Sequence, residues 1–250
     1  LERFGQYVLD RPCPAAEGIQ KSSPDLWDQA QACYVKRELA DGGWRSGNGM
    51  PLSWHIYHGQ AHMELKLTDF GHVGVFPEHA GNWDWITRQL KASNEPMRVL
   101  NLFAYTGGAT IACAAAGAEV VHVDSAQNTV LWARRNTASS GLGDASIRWI
   151  TEDALKFVGR EIKRGNKYHA VILDPPSYGH GPKGEVWKIQ NNLPELLEIC
   201  AELTEQDRRF ILMSCHTAGY VPADLQKILR KAFPVDGAIQ AGGLAIRATD

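Results

Sequence analysis

The sequence predicts an α/β protein in which the main domain is a doubly wound, mostly parallel sheet. From residue 97 onward, short apolar runs alternate with stretches of helical periodicity, and several of these runs end in an acidic residue. Strands and helices that alternate at this spacing form a parallel sheet covered on both faces. Residues 44–76 differ, because they are rich in aromatic residues, glycine and β-formers. We therefore expect a small β-rich N-terminal extension before the main domain.

The extension is expected to span residues 1–91. Polar and apolar residues alternate there in short runs separated by glycine or by Asp-Phe-Gly, which is typical of antiparallel strands. A helix over residues 81–90 is expected to close the extension. The predicted strands are residues 54–59, 63–67 and 73–76.

The main domain is expected to span residues 92–250, and it begins with the polar stretch 92–96. The predicted strands are residues 98–103, 120–123, 146–150, 168–173 and 209–213. The predicted helices are residues 109–116, 126–139 and 193–203. This order of elements makes the predicted fold Rossmann-like.

Composition limits the classes of function. With 250 residues and 44% apolar composition, the chain can bury one full core but hardly two full-size domains. A formal net charge of −2 gives no global basic field, so contact with RNA would need a local patch. The five cysteines have neither disulfide nor zinc spacing, and no apolar stretch approaches the roughly 18 residues of a membrane span. These features favour a cytoplasmic protein with no metal site.

A glycine-rich turn after the first strand of the main domain indicates a nucleotide-like ligand. Gly107 lets the backbone approach a ligand closely, and Asp124, at the end of the next strand, can accept hydrogen bonds from ribose hydroxyls. The third glycine of dinucleotide-binding turns is missing, so a pyrophosphate is not expected. Such a turn also occurs for tight packing, and a strand-end acid also occurs as a solvated residue. Asp153 and Asp174, which end two further strands, favour the functional interpretation.

The string Asp174-Pro175-Pro176-Ser177-Tyr178 directly follows the apolar run 168–173. It delivers one carboxylate and one aromatic ring to the carboxyl edge of the sheet, where open α/β folds bind ligands. The sequence therefore predicts an enzyme that acts on a flat substrate.

Four segments resemble, in order, the motifs of class I S-adenosylmethionine-dependent methyltransferases. More narrowly, they are similar to the group that contains the bacterial large-subunit ribosomal RNA cytosine-5 methyltransferases. The resemblance covers roughly residues 60–220, and residues 71–79 are similar to the segment just before the catalytic domain of that group. The four segments are residues 101–108, 123–125, 152–154 and 174–178. One further strand is expected within residues 235–250, where the family normally ends with a pair.

This resemblance implies S-adenosyl-L-methionine (SAM) as the cofactor and RNA, specifically ribosomal RNA, as the substrate. It places the methionine part of the cofactor at the turn, the ribose at Asp124 and the adenine beside Asp153 and Ala154. Asp153 has an alternative interpretation as the cap of the following helix. The residues implied to bind the cofactor are Phe76, Pro77, His79, Phe103, Ala104, Tyr105, Thr106, Gly107, Gly108, Asp124, Ser125, Asp153, Ala154 and Asp174.

The implied catalytic residues are Cys215 and Asp174. Cytosine carbon 5 is a poor nucleophile, so the usual route first adds a thiolate to carbon 6. Cys215 directly follows the predicted strand 209–213, and in the family a cysteine at this point is the proposed nucleophile. His216 departs from the family pattern, which often has a second serine there. Alternatively, Cys215 is a small core residue. That is how we interpret the other four cysteines, Cys13, Cys33, Cys113 and Cys200.

Substrate contacts are expected from residues that precede and follow Tyr178 in the sequence. The Tyr178 ring itself would stack on the base. The glycines of residues 179–188 predict a mobile loop, in which the lysines would meet phosphate and Trp187 a base. A solvated loop with one packed tryptophan is an equal alternative. The expected substrate-binding residues are Pro175, Pro176, Tyr178, Lys183 and Lys188.

Three functions remain open. The first is formation of 5-methylcytosine in structured RNA, with Cys215 as the covalent nucleophile. The second is methylation of a base nitrogen or a small molecule, with Asp174 and Tyr178 as the orienting pair, and the slightly acidic net charge favours it. The third is a non-catalytic RNA-binding relative. The sequence does not indicate the oligomeric state.

Overall fold

The computed structural model describes residues 1–13, 16, 18–21, 23–35, 42–47, 49–234 and 237–246. The chain divides into two compact units, Leu1–Val75 and Phe76–Asp250. This division differs from the predicted boundary at residues 91 and 92. The reason is the helix Ala80–Lys91, which packs on the helix Gly108–Ala115 within the second unit.

The first unit contains a mixed four-stranded sheet and a separate hairpin. The sheet has the order β1 (Glu2–Phe4), β2 (Tyr7–Asp10), β3 (Ala32–Val35) and β4 (Gly43–Ser46), and β2 pairs with β3 in parallel. The hairpin consists of β5 (Trp54–His58) and β6 (Ala61–Leu65). A 3-10 helix spans Pro24–Gln29.

Two of the three predicted extension strands correspond to β5 and β6, but residues 73–76 do not form a strand. The chain turns back too sharply, because Gly71 has a φ of 79°. Lys66 N donates to Val73 O at 3.1 Å without a ladder forming beyond this turn. The side chains of Val73 and Val75 are nevertheless buried, which explains their apolar character.

The second unit is built on a five-stranded sheet in which every neighbouring pair is parallel, so the predicted Rossmann-like sheet is confirmed. The strands of this unit are β7 (Arg98–Leu102), β8 (Glu119–Asp124), β9 (Ile147–Thr151), β10 (Ala170–Leu173), β11 (Tyr178–His180), β12 (Val186–Lys188) and β13 (Phe210–Met213). The sheet order is β13-β10-β7-β8-β9, and β11 and β12 form an antiparallel hairpin of their own. The chain order reverses between β7 and β10, which is the point at which open α/β sheets bind ligands.

Helices accompany each strand of this sheet. They are α1 (Ala80–Lys91), α2 (Gly108–Ala115), α3 (Gln127–Ser139), α4 (Ala154–Lys163), α5 (Ile189–Leu203) and α6 (Pro222–Ala232). The central strands β7 and β10 are almost wholly buried, which explains why they are nearly continuous apolar runs. Leu173 of β10 and Leu196 and Leu197 of α5 belong to one core cluster in which none of the three is exposed.

The strand expected within residues 235–250 is absent from residues 237–246, and the other positions of that range, 235–236 and 247–250, lie outside the described residues. Among the described residues, no helix is long and apolar enough to cross a membrane. The same part of the chain contains no group of three or more His, Cys, Asp or Glu side chains suited to hold a metal ion.

Candidate functional site

The turn between β7 and α2 has an unusual backbone. Phe103 and Tyr105 have φ values of 56° and 49°, and Gly107 has a φ of 92°. The left-handed region is rare for residues with a side chain, and such strain concentrates at functional sites. Gly107 is required for a second reason, because a Cβ at this position would lie 3.1 Å from Cβ of Ala133. The turn is therefore a strained stretch of backbone that packs closely on Ala133 at the carboxyl edge of the sheet.

Asp124, the last residue of β8, holds this turn in place. Its Oδ2 accepts a hydrogen bond from Tyr105 N at 2.9 Å, and its Oδ1 accepts one from Ala126 N at 3.0 Å. Burial raises the pKa of Asp124, and these backbone hydrogen bonds oppose that rise. A carboxylate has about four lone-pair sites, so acceptor capacity remains beyond the backbone donors Tyr105, Ser125 and Ala126. Asp124 can therefore fix the turn and accept ribose hydroxyls at the same time.

Two predicted cofactor residues of the turn face the protein interior. Thr106 is 1% exposed, and its carbonyl oxygen accepts a hydrogen bond from Asn136 Nδ2 at 2.9 Å. A Cβ on Gly108 would lie 2.6 Å from Cε2 of Trp83 in α1. Contact between these two residues and a ligand would therefore have to involve the backbone.

A cleft lies beside this turn, between the ends of β7 and β8, the start of α4 and the hairpin β11–β12. Five of its residues were expected to bind the cofactor and one, Pro176, the substrate. The lining residues are Phe103, Val123, Asp124, Ser125, Glu152, Asp153, Ala154, Pro176, Gly179, His180, Gly181 and Trp187.

The hairpin covers this cleft. The cavity measures about 40 Å³, whereas pockets for drug-sized ligands measure roughly 300–1,000 Å³. Gly179, His180 and Gly181, at and just after the end of β11, line the cleft together with Asp124. In this conformation, the cleft is too narrow for a complete nucleoside.

Asp153 has a structural task in addition to lining the cleft. Its Oδ1 accepts a hydrogen bond from Lys156 N at 3.0 Å, which makes Asp153 the N-cap of α4. The carboxylate still faces the cleft with unused lone pairs. The structure is thus compatible with both interpretations of this residue.

Asp174 is the centre of a second cluster, at the ends of the paired strands β10 and β13. Ser214 Oγ donates to Oδ1 of Asp174 at 2.6 Å. Two imidazoles lie within ion-pair distance: His79 Nε2 is 3.5 Å from Oδ2, and His216 Nδ1 is 3.8 Å from Oδ1. The pairing of Leu173 with Met213 explains why the chain segments that follow these strands meet here.

Cys215 lies between two residues that reach Asp174, and its own side chain packs against the apolar core of the second unit. It remains partly exposed, unlike two other cysteines of this unit. Cys113 and Cys200 are fully buried, and burial raises their pKa, that of Cys200 to about 12. Cys215 is therefore the more accessible thiol of the three.

The interpretation of every other cysteine as a core residue is wrong for Cys13, which is exposed, and Cys33 is only half-buried. Both belong to the first unit.

Phe76, Pro77 and His79 form the start of the second unit rather than part of the extension. The Phe76 ring lies 5.3 Å from the ring of Tyr105 in the strained turn. Pro77 begins the 3-10 helix Pro77–His79, which leads directly into α1. This short helix carries His79 to Asp174.

Residues 178–188 form an antiparallel hairpin, in which β11 pairs with β12, where their glycines predicted a loop. Trp187 holds it in place. Its ring is 4% exposed and lies 4.9 Å from the Phe103 ring, and its Nε1 donates to Pro176 O at 2.6 Å. The expectation that Trp187 meets a base is therefore wrong, and the alternative of a packed tryptophan is confirmed.

The remaining predicted substrate residues differ in exposure. Tyr178 is 53% exposed, and its hydroxyl lies 3.1 Å from Nε2 of His180. Pro175 is buried, whereas Lys183 and Lys188 are exposed. A second, open groove of about 760 Å³ adjoins the hairpin tip at Lys183.

This open groove is lined by four cationic side chains, Lys156, Arg160, Lys163 and Lys183, and by the carboxylates of Glu152 and Glu185. Lys156 pairs with Glu185, and Arg160 pairs with Glu152. The Lys156 hydrogen bond lowers the pKa of Glu185 to about 2. The groove is therefore a local basic patch on a chain that has no basic field overall.

Sequence reasoning missed several residues of the two clusters. Ser214 could have been found, because it flanks Cys215 at a strand end. His180 and Glu152 line the cleft and also stood next to predicted positions. Asn82, whose Nδ2 lies 3.1 Å from His79 Nδ1, had no sequence signal.

Known proteins provide an independent comparison. A family model described as S-adenosylmethionine-dependent methyltransferase matches residues 28–205. The crystal structure of the SAM-dependent methyltransferase from Agrobacterium tumefaciens is 34% identical, with a TM-score of 0.86, over 92% of this chain and 73% of that one.

Two curated relatives act on ribosomal RNA according to their names. Ribosomal RNA large subunit methyltransferase I of Salmonella arizonae is 29% identical over 97% of this chain and 61% of its own length. Ribosomal RNA large subunit methyltransferase K/L of Shewanella frigidimarina is 32% identical over 55% of this chain and 19% of its own length. The chain thus spans less than two thirds of either relative.

Proposed function

The chain belongs to the S-adenosylmethionine-dependent methyltransferase family, and from this premise we propose that it transfers the methyl group of SAM to a base of large-subunit ribosomal RNA. The observation that carries the proposal is the proximity of two clusters at one edge of the sheet. The cleft at Asp124 offers ribose acceptors to a nucleoside once the hairpin moves aside, and the cluster at Asp174 offers an acceptor to a base beside it. SAM supplies an activated methyl group, which needs only a correctly placed acceptor.

The proposed cofactor site consists of the cleft and the turn. Asp124 accepts the ribose hydroxyls, and the strained backbone from Phe103 to Gly107 meets the methionine part. Asp153 and Ala154 flank the adenine. The relatives with similar sequence are named as ribosomal RNA methyltransferases, which supports RNA as the substrate class. The basic groove at Lys183 supports it further, because phosphates bind to local cationic patches.

For the target atom, we propose cytosine carbon 5 with Cys215 as the nucleophile. The Cys215 thiolate adds to carbon 6, and carbon 5 then takes the methyl group. The cofactor leaves as S-adenosylhomocysteine, the proton on carbon 5 passes to water, and expulsion of the thiolate restores the aromatic base. Asp174 orients the base through its exocyclic amine, and Tyr178 stacks on its face. We propose the cytoplasm as the compartment, where the thiol stays reduced.

A specific observation favours a second candidate, methylation of a base nitrogen without a covalent adduct. The side chains of Ser214 and His216 reach Asp174, whereas that of Cys215 packs against the core. In this alternative, Asp174 and Tyr178 orient the base, and Cys215 only fills space.

The test is methylation of total RNA with labelled SAM, followed by nucleoside analysis. We expect labelled 5-methylcytidine from the unmodified protein and none from Cys215→Ala, while Cys13→Ala, an exposed cysteine of the first unit, retains full activity. A labelled N-methyl nucleoside would support the second candidate instead, and full activity of Cys215→Ala would rule out covalent catalysis by this residue.

A simpler measurement tests the cofactor. SAM at 100 times its Kd should stabilise the protein by about 2.7 kcal/mol and raise its Tm accordingly. An unchanged Tm at saturating SAM would leave only a non-catalytic RNA-binding protein.

A further inference from the structure

We propose that Asn82 and His79 form a positioning pair that holds Asp174 as a hydrogen-bond acceptor for the target base. This inference rests on the proposed function, because it concerns the residue that would orient the base. It changes the expected role of His79, which the family resemblance associates with the cofactor.

Asn82, His79 and Asp174 form a chain of polar contacts. Asn82 Nδ2 lies 3.1 Å from His79 Nδ1, and His79 Nε2 lies 3.5 Å from Asp174 Oδ2. The His79 side chain is only 17% exposed and that of Asp174 27% exposed, so water screens their interaction incompletely. His79 thus has a partner at each ring nitrogen.

These partners determine the tautomer of His79. The amide of Asn82 donates to Nδ1, so Nδ1 must carry the lone pair. The proton of the neutral imidazole then resides on Nε2, where it faces the Asp174 carboxylate. A histidine is commonly fixed in this way by the hydrogen bond of its other nitrogen.

Both oxygens of Asp174 have a polar neighbour. Ser214 Oγ donates to Oδ1 at 2.6 Å, and His79 Nε2 lies 3.5 Å from Oδ2, within ion-pair distance. Catalytic hydrogen bonds that are long in the free protein often shorten when the substrate binds.

The consequence is that Asp174 prefers a base edge that carries hydrogen-bond donors. A carboxylate offers only acceptors, so it selects a base that presents an amino or imino N–H. His216, the second imidazole near Asp174, is unsuited to this task. Its side chain is 65% exposed, so it is screened by solvent.

The first test does not require activity. Long-range ¹H–¹⁵N NMR of imidazole-labelled protein should show His79 in the Nε2–H tautomer, assigned by comparison with His79→Gln. Asn82→Leu should produce a mixture of tautomers, whereas Glu78→Gln, a change in the same 3-10 helix, should not. Finding the Nδ1–H tautomer in the unmodified protein would overturn the proposal.

The second test is a double-mutant cycle on methyl transfer to RNA. His79→Leu should lower kcat roughly tenfold and leave the Kd for SAM almost unchanged. In the Asp174→Asn background, the same substitution should have little further effect, because no carboxylate remains to be positioned. His79→Gln, which can also donate an N–H, should restore much of the rate.

Equal losses in both backgrounds would overturn the positioning role, and a matching rise in the Kd for SAM would assign His79 to the cofactor instead. These outcomes differ from a failure of the proposed function, in which the unmodified protein itself would methylate no RNA. In that case the NMR measurement still decides the arrangement of Asn82, His79 and Asp174.

Discussion

At the scale of single residues, Asp124 combines structural and ligand-binding roles in one carboxylate. It accepts a hydrogen bond from Tyr105 N in the strained turn and another from Ala126 N before α3, and it lines the cleft. Because burial raises its pKa, it protonates at a higher pH than an exposed aspartate. A protonated carboxyl loses acceptor capacity, so ligand binding and the shape of the turn depend on the same proton.

We predict that Asp124→Asn weakens SAM binding about tenfold or more, because an amide nitrogen would face a backbone N–H donor. Binding to the unmodified protein should also weaken as the pH falls toward the raised pKa of Asp124, and this dependence should disappear in the variant. Calorimetric titration with SAM at several pH values measures both effects. Asp144→Asn, an exposed position in the turn before β9, serves as the control. A pH dependence that persists in Asp124→Asn would assign it to another group.

At the scale of elements, the contact between α1 and α2 depends on a missing side chain. Gly108 begins α2, and a Cβ there would collide with the indole of Trp83 in α1. A Cβ on Gly159, which lies within α4, would instead meet open space. The two glycines are therefore a matched pair with opposite expectations.

We predict that Gly108→Ala destabilises the protein by about 1–3 kcal/mol through overpacking. Gly159→Ala should stabilise it by about 0.5–1 kcal/mol, because alanine is the better helix former. Urea unfolding of the two variants and the unmodified protein measures these differences. Equal effects of both substitutions would show that Trp83 moves aside without a cost in the free energy of unfolding.

At the scale of the whole molecule, stability depends on a carboxylate remote from the site. Glu161 of α4 is 0% exposed. Burial by itself would raise its pKa, but hydrogen bonds from Tyr168, Arg164 and Asn166 lower it below the ordinary value of 4.5. The Tyr168 hydroxyl lies 2.6 Å from Oε2. The stabilisation is therefore complete above pH 4.5 and is lost as the pH falls through the lower pKa of the folded state.

We predict that Glu161→Gln lowers the free energy of unfolding by about 1–3 kcal/mol at neutral pH. The difference from the unmodified protein should vanish in acid, where Glu161 is itself protonated. Glu198→Gln, an exposed change on α5, should stay within about 0.5 kcal/mol throughout. Denaturant unfolding across the pH range checks this, and a constant difference at all pH values would contradict the assignment.

The sequence predicted the parts of this molecule that follow from local chemistry. Buried parallel strands are continuous apolar runs, and Asp124, Asp153 and Asp174 stand at or directly after strand ends, so both the sheet and its acidic edge could be derived. The 3.6-residue period of α4 is also present in the sequence, although the predicted helices do not include it.

Other features depend on contacts between distant parts of the chain. His79 meets Asp174 from 95 positions away, and no local pattern encodes that contact. The glycines near Trp187 predict a loop, but the Trp187 ring packs against Phe103 and anchors the hairpin there. The position of α1 likewise follows from its packing on α2 rather than from its own residues.

The hairpin β11–β12 also has a kinetic consequence. Because its residues line the cleft at Asp124, we predict that Gly179 to Gly181 must move outward before a bound cofactor can leave. The Lys156–Glu185 ion pair fastens its tip to α4 in an exposed position, so salt weakens that attachment. On the proposed function, we predict that product escape limits steady-state turnover and that moderate salt accelerates it, which turnover measured across a salt series checks.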